Sequence, residues 1–181
     1  MKVRRIVTGH SASGKSIFVA DGPAPHAKKF VHVPGFETTF AWETFADSTV
    51  PQPPDHDPSL AAKSWIPSAG GTILQVVTFP PDSVMASPDF NPAAAGGEYM
   101  TNLPGLAERF EMDSPGMHTT DSIDYSMLLE GEIHLELDDG EIKKLSPHDL
   151  VVQRGTRHAW RNRSDKPATM LFVLVAAARV P

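Results

Sequence analysis

The stretch MHTTDSIDYSMLLEG, residues 117–131, combines reactive polar side chains with the pattern of β-strands. Successive side chains of a strand point to opposite faces, so alternation places His118 and Thr120 on the same face. Asp124 begins the next strand, and that strand ends at a glycine. This stretch therefore predicts a histidine and a carboxylate on neighbouring strands of a sheet.

A second stretch of the same kind, VVQRGTRHAWRN, follows at residues 151–162. Here alternation places His158, Trp160 and Asn162 on one face of a strand. If the two stretches are neighbours in a sheet, two imidazoles and one carboxylate can converge on a common point. We take this convergence as the candidate site.

Short β-like runs separated by turn residues surround the candidate site. After Met117 these runs are DYSMLLEG (124–131), EIHLELDDGE (132–141), DLVVQRG (149–155), RHAWRN (157–162) and ATMLFVLVA (168–176). Closely spaced short strands of this kind are typical of an all-β sandwich or barrel. Within the first run, we expect the face of Tyr125, Met127 and Leu129 to pack in the core or against the sheet.

The first half of the chain continues the β pattern with longer irregular connections. The predicted strands are VRRIVT (3–8), KSIFVA (15–20), KKFVHV (28–33), TTFAWETF (38–45) and GTILQVVTF (71–79). The first two are separated by GHSASG and predict a β-hairpin. Residues 50–67 form a Pro-rich loop, and residues 97–111 hold the one helix that the sequence predicts.

The hairpin connection also fits a phosphate-binding pattern, since GHSASGKS (9–16) reads G-x-x-x-x-G-K-S. Phosphate binding by this pattern needs a helix directly after the Gly-Lys-Ser. The sequence that follows is IFVADGPAP, whose β-branched residues, glycine and two prolines exclude a long helix. We therefore interpret Gly9 and Gly14 as turn glycines.

Composition limits the class of protein. The chain has 181 residues with a formal net charge of -6, which argues against a nucleic-acid partner. It has no cysteine, so disulfides, thiol nucleophiles and cysteine metal sites are excluded. No secretory signal and no membrane-length apolar run is visible, and we expect a soluble, cytoplasmic protein without a membrane partner.

At the two stretches of the candidate site, the chain resembles the cupin superfamily of small jelly-roll barrels. The first cupin motif is G-x5-H-x-H-x(3,4)-E-x6-G, and His118, Asp124 and Gly131 stand at its histidine, glutamate and final glycine. The second motif is G-x5-P-x-G-x2-H-x3-N. It is matched at its inner glycine, histidine and asparagine, which are Gly155, His158 and Asn162. The resemblance covers about residues 117–175 and implies an all-β cupin jelly-roll barrel, extended by the N-terminal hairpin and the Pro-rich loop.

This chain departs from the family pattern at several metal-site positions. Thr120 stands at the second histidine, Asp124 replaces glutamate, and Gln153 replaces the proline of the second motif. The three ligands that remain are His118, Asp124 and His158, a set that suits a divalent metal ion such as Fe, Mn, Ni or Zn. Aspartate is shorter than glutamate by roughly 1.5 Å, so its strand must compensate or the carboxylate must bind through water.

An alternative interpretation needs no metal. The two histidines can be interior side chains that bond to Asp124 and Thr120, since buried polar groups are usually paired. In either case we expect Thr120, Gln153 and Trp160 to line the substrate pocket. We expect Arg154, Arg157 and Arg161 of the second stretch to point outward, although one of them could meet a substrate carboxylate at the barrel mouth.

The sequence supports two functions and one assembly. The first function is a metal-dependent oxygenase, decarboxylase or isomerase acting on a small aromatic or carboxylated molecule. The second is a metal-free protein that binds or senses a small molecule. We expect residues 1–70 to pack as an extension on a barrel formed by residues 71–181. We also expect a homodimer in which the hairpin or the 50–67 loop reaches the partner.

Overall fold

The computed structural model describes residues 2–180, which form antiparallel sheets. The strands are β1 (Arg4–His10), β2 (Ser16–Pro23), β3 (His26–Lys29), β4 (Glu37–Thr44), β5 (Thr72–Phe79), β6 (Ser122–Glu130), β7 (Ile133–Glu136), β8 (Ile142–Leu145), β9 (Leu150–Arg154), β10 (Ala159–Arg161) and β11 (Ala168–Ala176). A helix, α1 (Pro92–Asn102), lies between β5 and β6. The all-β class predicted from the sequence is confirmed.

Two sheets enclose the core, and the N-terminal hairpin forms a third. The large sheet has the order β3-β4-β5-β11-β6-β9, the small sheet has the order β10-β7-β8, and β1 pairs with β2. Leu128 and Met170 of the large sheet belong to the same buried cluster as Ile133 and Leu145 of the small sheet. We call the face of the large sheet that carries this cluster the inner face.

Strand register decides which side chains share the inner face. Side chains directly opposite one another in an antiparallel pair lie on the same face. Gln75 of β5 and Ser126 of β6 both lie opposite Phe172 of β11. Asp124 lies opposite Leu174 of β11 and is two residues from Ser126. The inner face therefore carries a row of polar groups among apolar ones.

The hairpin prediction is confirmed at β1 and β2, and the phosphate-binding interpretation of residues 9–16 finds no support in the local backbone. Ser16 begins a strand, where phosphate binding needs a helix. Gly14 has φ +77°, a left-handed conformation that favours glycine in a turn. Ser11 closes this turn by donating its N–H to the carbonyl of Lys15 at 2.9 Å.

The helix begins earlier than the sequence analysis predicted. It covers Pro92–Asn102 instead of 97–111. Asn91 caps it by accepting the N–H of Ala94 at 3.0 Å, and Pro92 fits the first turn because a proline lacks the N–H that would be unpaired there. The dipeptide Asn-Pro was the signal that our prediction overlooked.

The third predicted strand was also displaced. β3 covers His26–Lys29, whereas most of KKFVHV (28–33) lies in a turn. The turn is closed by the N–H of Phe30, which donates to the carbonyl of Phe36 at 3.0 Å. Phe30 is buried against Phe36 and Tyr99. It therefore packs in the core although it lies outside a strand.

The hairpin is attached to the large sheet through Arg5. Its guanidinium donates to the carbonyl of Ala41 in β4 at 3.1 Å and pairs with Asp57 at 2.5 Å. It also lies 5.4 Å from the centre of the Trp42 ring. Asp57 belongs to the Pro-rich loop, so a single side chain connects hairpin, loop and sheet. β3 and β4 are strands of the large sheet. The predicted division into an extension (1–70) and a barrel (71–181) stays a prediction.

The outer face of β6 corrects one expectation of the sequence analysis. Tyr125 was predicted to pack in the core or against the sheet. It is 51% exposed and outside the core, because Ser122, Asp124 and Ser126 occupy the inner face. Its cross-strand neighbour on the edge strand β9, Val152, is 59% exposed. The first half of β6 therefore turns three polar side chains inward, and Leu128 follows them on the same face in the core.

None of the helices within residues 2–180 has the length and apolar character that a membrane span requires.

Candidate functional site

His118 and His158 lie directly opposite each other and fix each other through the backbone. The N–H of His118 donates to the carbonyl of His158 at 2.9 Å, and the N–H of His158 donates back at 3.0 Å. His118 precedes β6 and His158 precedes β10, so this bridge joins the entries to the two sheets. The convergence of the two stretches predicted from the sequence is observed for the two histidines.

The two imidazole rings are in contact, and each is oriented by the same kind of hydrogen bond to the backbone. Their centroids are 4.2 Å apart. In each ring Nδ1 lies near a backbone carbonyl two residues earlier, Gly116 O at 3.1 Å and Thr156 O at 3.0 Å. A carbonyl only accepts, so each Nδ1 carries the proton and each Nε2 keeps a free lone pair. Among the described residues, no hydrogen bond reaches either Nε2.

Burial keeps both rings neutral. Removal from water lowers the pKa of His118. The same removal, together with the neighbouring His118, lowers the pKa of His158 to about 3. The site therefore offers two neutral nitrogen acceptors at neutral pH.

Asp124 is buried on the inner face without a counter-charge. Burial raises its pKa to about 6, although the nearby Ser122 hydroxyl favours the ionised form. Its Oδ1 atom is fully buried and has no hydrogen-bond partner. A carboxyl with this pKa exchanges its proton close to neutral pH, which is the property of a general acid or base.

The predicted metal ligands are His118, Asp124 and His158. Within residues 2–180, no three His, Cys, Asp or Glu side chains lie close enough together to hold one metal ion. His118 and His158 form a pair, and Asp124 does not complete a three-ligand group with them. The metal ligand set stays a prediction.

Two of the three predicted pocket residues, Thr120 and Gln153, are buried, and each has a structural contact. The Gln153 amide donates to the carbonyl of Thr156 at 3.0 Å, the same carbonyl that accepts His158 Nδ1. Gln153 therefore steadies the orientation of His158. Thr120 accepts a hydrogen bond from Ser122 at 3.0 Å.

Trp160, the third predicted pocket residue, joins the histidines to the inner face. Its ring lies 5.9 Å from His158 and 5.6 Å from Phe172, measured between centroids. On the other side of the pair, Phe110 lies 4.8 Å from His118 and stacks on Tyr99 at 5.9 Å. Phe172, Phe110 and Tyr99 were missed by the sequence analysis, because no local pattern separates a pocket aromatic from a core aromatic.

Comparisons with known proteins identify the family of this chain. A family model described as a cupin domain matches residues 111–174, which contain both histidines. Phomopsin biosynthesis cluster protein C' from Diaporthe leptostromiformis is 33% identical over 177 residues, covering 96% of this chain and 78% of that protein. The chain belongs to the cupin superfamily. The family and the cupin fold predicted from the motifs are thus confirmed.

Other cupins are more distant. The cupin-domain-containing oxidoreductase virC from Hypocrea virens is 26% identical over 178 residues, covering 94% of this chain and 74% of that protein. A solved structure, the cupin domain of an XRE family transcriptional regulator from Enterobacter cloacae, is 18% identical with a TM-score of 0.36. It covers 60% of this chain and 83% of that one.

Two arginines of the second stretch, Arg157 and Arg161, are paired with acids. Arg157 bonds to Glu111 at 2.6 Å and to Asp138 at 2.8 Å. Arg161 bonds to Glu136 at 2.5 Å. These two guanidiniums are engaged with acids, and Arg154 is exposed on β9. A contact between one of the three arginines and a substrate carboxylate stays a prediction.

A surface groove of about 400 Å³ beside α1 is separate from these residues. It is lined by Val31, His32 and Glu98 among others, and by none of the predicted site residues. The Glu98 carboxylate accepts the N–H groups of Val31 at 2.8 Å and His32 at 2.7 Å. Glu98 of α1 therefore holds the turn at Val31 and His32 against the helix, and we assign the groove a structural role.

Proposed function

We propose that this cupin is an enzyme that transforms a small organic molecule bound between the two sheets at His118, His158 and Asp124. The single observation that carries the proposal is the pair of buried, neutral imidazoles whose Nε2 atoms have no partner. Relatives such as virC carry the name oxidoreductase, which supports an enzymatic role. The reaction classes that we consider are oxygenation, decarboxylation and isomerisation.

The chain's own residues can bind and move protons in this site. Each Nε2 can accept a hydrogen bond or a proton from a substrate O–H or N–H. Asp124, with a pKa of about 6, can take up or release a proton near neutral pH. Gln153 holds His158 in the orientation that keeps its Nε2 free, so it acts as a positioning residue.

Metal dependence is the finer part of the proposal. The imidazole pair suits a divalent ion such as Fe, Mn, Ni or Zn, because metal-bound histidines usually donate their other N–H to a carbonyl or carboxylate. A three-ligand centre with Asp124 does not fit the arrangement observed within residues 2–180. We therefore derive no catalytic step through a metal.

Elemental analysis of protein purified without an affinity tag tests metal dependence. A metal-dependent enzyme should carry a stoichiometric divalent ion that is lost in His118→Ala and in His158→Ala. His134→Ala is a suitable control, because this histidine lies on β7 outside the pair. If the wild-type protein is metal-free, metal dependence is rejected, and binding of an organic ligand is tested separately.

A second function is favoured by one observation, the threonine at the position of the second cupin histidine. With Thr120 bonded to Ser122 and without a three-ligand group, the site can serve as a metal-free binding or sensing pocket. Native mass spectrometry distinguishes the functions. A retained organic molecule that is released unchanged, together with no metal, supports the binding protein.

Catalysis is tested by incubating the protein with a metabolite extract and following the mixture by mass spectrometry. The proposal expects compounds that the wild-type protein consumes and that Asp124→Asn and His158→Gln leave unchanged. Tyr125→Phe, altered on the exposed outer face of β6, should retain the activity. If no compound is consumed under aerobic or anaerobic conditions, the enzyme proposal fails.

We further propose that two copies of this chain form a cytoplasmic homodimer without a nucleic-acid or membrane partner. The support is an apolar patch on the outer face of β6 and the edge strand β9, where Tyr125 pairs with Val152 and Met127 with Leu150. Exposed edge strands are commonly covered in native proteins, and a second copy is the simplest cover.

A further inference from the structure

Four buried side chains on the inner face have polar atoms without a partner. These atoms are Thr38 Oγ1, Gln75 Oε1, Asp124 Oδ1 and Ser126 Oγ, on residues that are 2%, 4%, 5% and 1% exposed. Buried polar groups in native proteins are almost always hydrogen-bonded, and an unpaired one is destabilising. Four such groups on one face indicate that a polar ligand or water completes their bonds.

The strand register places these groups around an aromatic floor. Gln75 and Ser126 lie on either side of Phe172, one strand away in each direction. Adjacent strands are about 4.8 Å apart, so the two polar residues are separated by roughly 10 Å with the ring between them. Phe172 contacts Trp160, and Trp160 contacts His158. Gln75 and Ser126 are therefore connected to the imidazole pair through the rings of Phe172 and Trp160.

The chemistry of the unpartnered groups is mainly that of acceptors. Gln75 Oε1 and the two Nε2 atoms of His118 and His158 only accept hydrogen bonds. Asp124 Oδ1 also accepts when the carboxyl is ionised, and the hydroxyl of Ser126 can donate or accept. A ligand that satisfies this set must bring hydrogen-bond donors.

The same surface offers no positive charge. Within residues 2–180, every lysine and arginine is exposed or half-buried, and none is buried in the core. Arg157 and Arg161, the half-buried ones of the second stretch, are paired with acids. A carboxylate or phosphate placed on the inner face would lie buried without a counter-charge and beside Asp124, which is strongly unfavourable.

We infer that the interior site takes an uncharged molecule with a flat apolar ring and at least two O–H or N–H donors, and that it rejects carboxylates and phosphates. This inference rests on the proposed function, since it names the substrate class of the same site. It decides between the two classes left open by the sequence: the aromatic one is retained, and the carboxylated one is rejected. The ring lies over Phe172, with donors directed to Gln75 and Ser126 and toward the imidazoles.

The test is a binding screen with matched pairs of compounds on the full chain. Each pair consists of a hydroxylated benzyl alcohol or benzamide and the benzoate with the same ring substituents. Ligand-observed NMR ranks the compounds, and calorimetry gives dissociation constants for the best pairs. We expect the neutral members to bind and the benzoates to bind at least tenfold more weakly.

Variants locate the binding site. Gln75→Leu and Ser126→Ala each remove one unpartnered group and should weaken binding of the neutral compounds about fivefold, the effect of one neutral hydrogen bond. Thr39→Val is the matched control, because Thr39 is buried on the opposite face of β4 and should leave binding unchanged. Melting temperatures confirm that each variant is folded.

Several outcomes overturn the inference. These are benzoates that bind as tightly as their neutral partners, neutral compounds that do not bind at all, or unchanged binding in Gln75→Leu and Ser126→Ala. The proposed enzyme is judged separately by consumption of metabolites. Selective binding without any turnover rejects the enzyme and keeps the ligand class, whereas turnover of a carboxylate rejects the ligand class and keeps the enzyme.

Discussion

Asp124 shows how one residue's surroundings set its chemistry. The carboxyl faces inward on β6, next to Leu174 on one side and Gln153 on the other. Gln153 directs its amide to Thr156 instead, so it gives Asp124 no hydrogen bond. Burial without such support favours the protonated acid. The result is a group that can exchange a proton close to neutral pH.

The raised pKa of Asp124 predicts a pH-dependent stability. The folded state keeps the proton up to about pH 6, whereas the unfolded chain releases it near 3.8. The folded state therefore binds more protons between these values, and the contribution of Asp124 to stability falls as the pH rises from about 4 to 6. Above pH 6 the buried, ionised Asp124 lowers the free energy of unfolding by about 3 kcal/mol relative to the protonated acid, as the difference between the two pKa values requires.

Asp124→Asn tests this dependence in protein dialysed against a chelator. The variant lacks the titrating group, so its free energy of unfolding relative to the wild type should increase as the pH rises from 4.5 to 7. Urea unfolding at three pH values measures the difference. Parallel stability curves for the two proteins would show that Asp124 does not titrate in this range.

A second residue-scale prediction compares two buried threonines. Thr38 on the inner face has an unpartnered hydroxyl, whereas Thr169 bonds to Thr78 at 3.0 Å. Thr38→Val removes an unpaired polar group and should raise the free energy of unfolding by about 1 kcal/mol. Thr169→Val removes a bonded one and should lower it by about 1 kcal/mol. Equal changes in both variants would mean that the Thr38 hydroxyl is paired.

At the scale of elements, the sequence predicted most strands because their alternation is local. GTILQVVTF (71–79) and ATMLFVLVA (168–176) became β5 and β11 with at most one residue of difference. β8 was missed because IKKL has two exposed lysines and little apolar signal. The inward face of β6 was misassigned for a different reason. Local pattern favours apolar side chains in the core, whereas Ser122, Asp124 and Ser126 face inward on β6 beside the buried Leu128.

The candidate site was predictable to the extent that it follows motif spacing. The imidazole pair was found from His118 and His158, which stand in the two cupin motifs. Gln75 and Phe172 could not be found in this way, because they reach the site through the pairing of β5 with β11. That pairing joins segments nearly one hundred residues apart in the chain, and its register is set by packing of the whole sheet.

The attachment of the N-terminal hairpin gives an element-scale prediction. Arg5 and Asp57 form a largely buried pair that also involves the Ser59 hydroxyl at 2.8 Å. A double-mutant cycle of Arg5→Ala and Asp57→Ala should give a coupling energy of roughly 1–3 kcal/mol, as for residues in one hydrogen-bond network. The exposed pair Arg4–Asp21 within the hairpin is the control and should show a much smaller coupling.

Limited proteolysis reports on the same contact. Because Arg5 connects the hairpin to β4 and to the Pro-rich loop, Arg5→Ala should expose the segment between residues 10 and 16 and the loop together. Cleavage that accelerates in the hairpin alone would show that the loop is held by other contacts.

At the scale of the whole molecule, the two faces of the large sheet have opposite character. The inner face carries unpartnered polar atoms, and the outer face of β6 and β9 carries exposed apolar side chains. Each face is costly in isolation, since buried polar groups need partners and large exposed apolar patches favour association. The proposed ligand inside and the proposed second copy outside would remove both costs.

The outer patch gives the last prediction, a homodimer that depends on β9. Leu150 is 70% exposed and lies opposite Met127, next to Tyr125 and Val152. Light scattering should give twice the monomer mass for the wild-type protein and the monomer mass for Leu150→Lys combined with Val152→Lys. Met112→Lys, at an exposed methionine outside the patch, should remain dimeric. A monomeric wild type would reject the dimer, and a dimeric Leu150→Lys/Val152→Lys would move the interface to the hairpin, where Phe18 is also exposed.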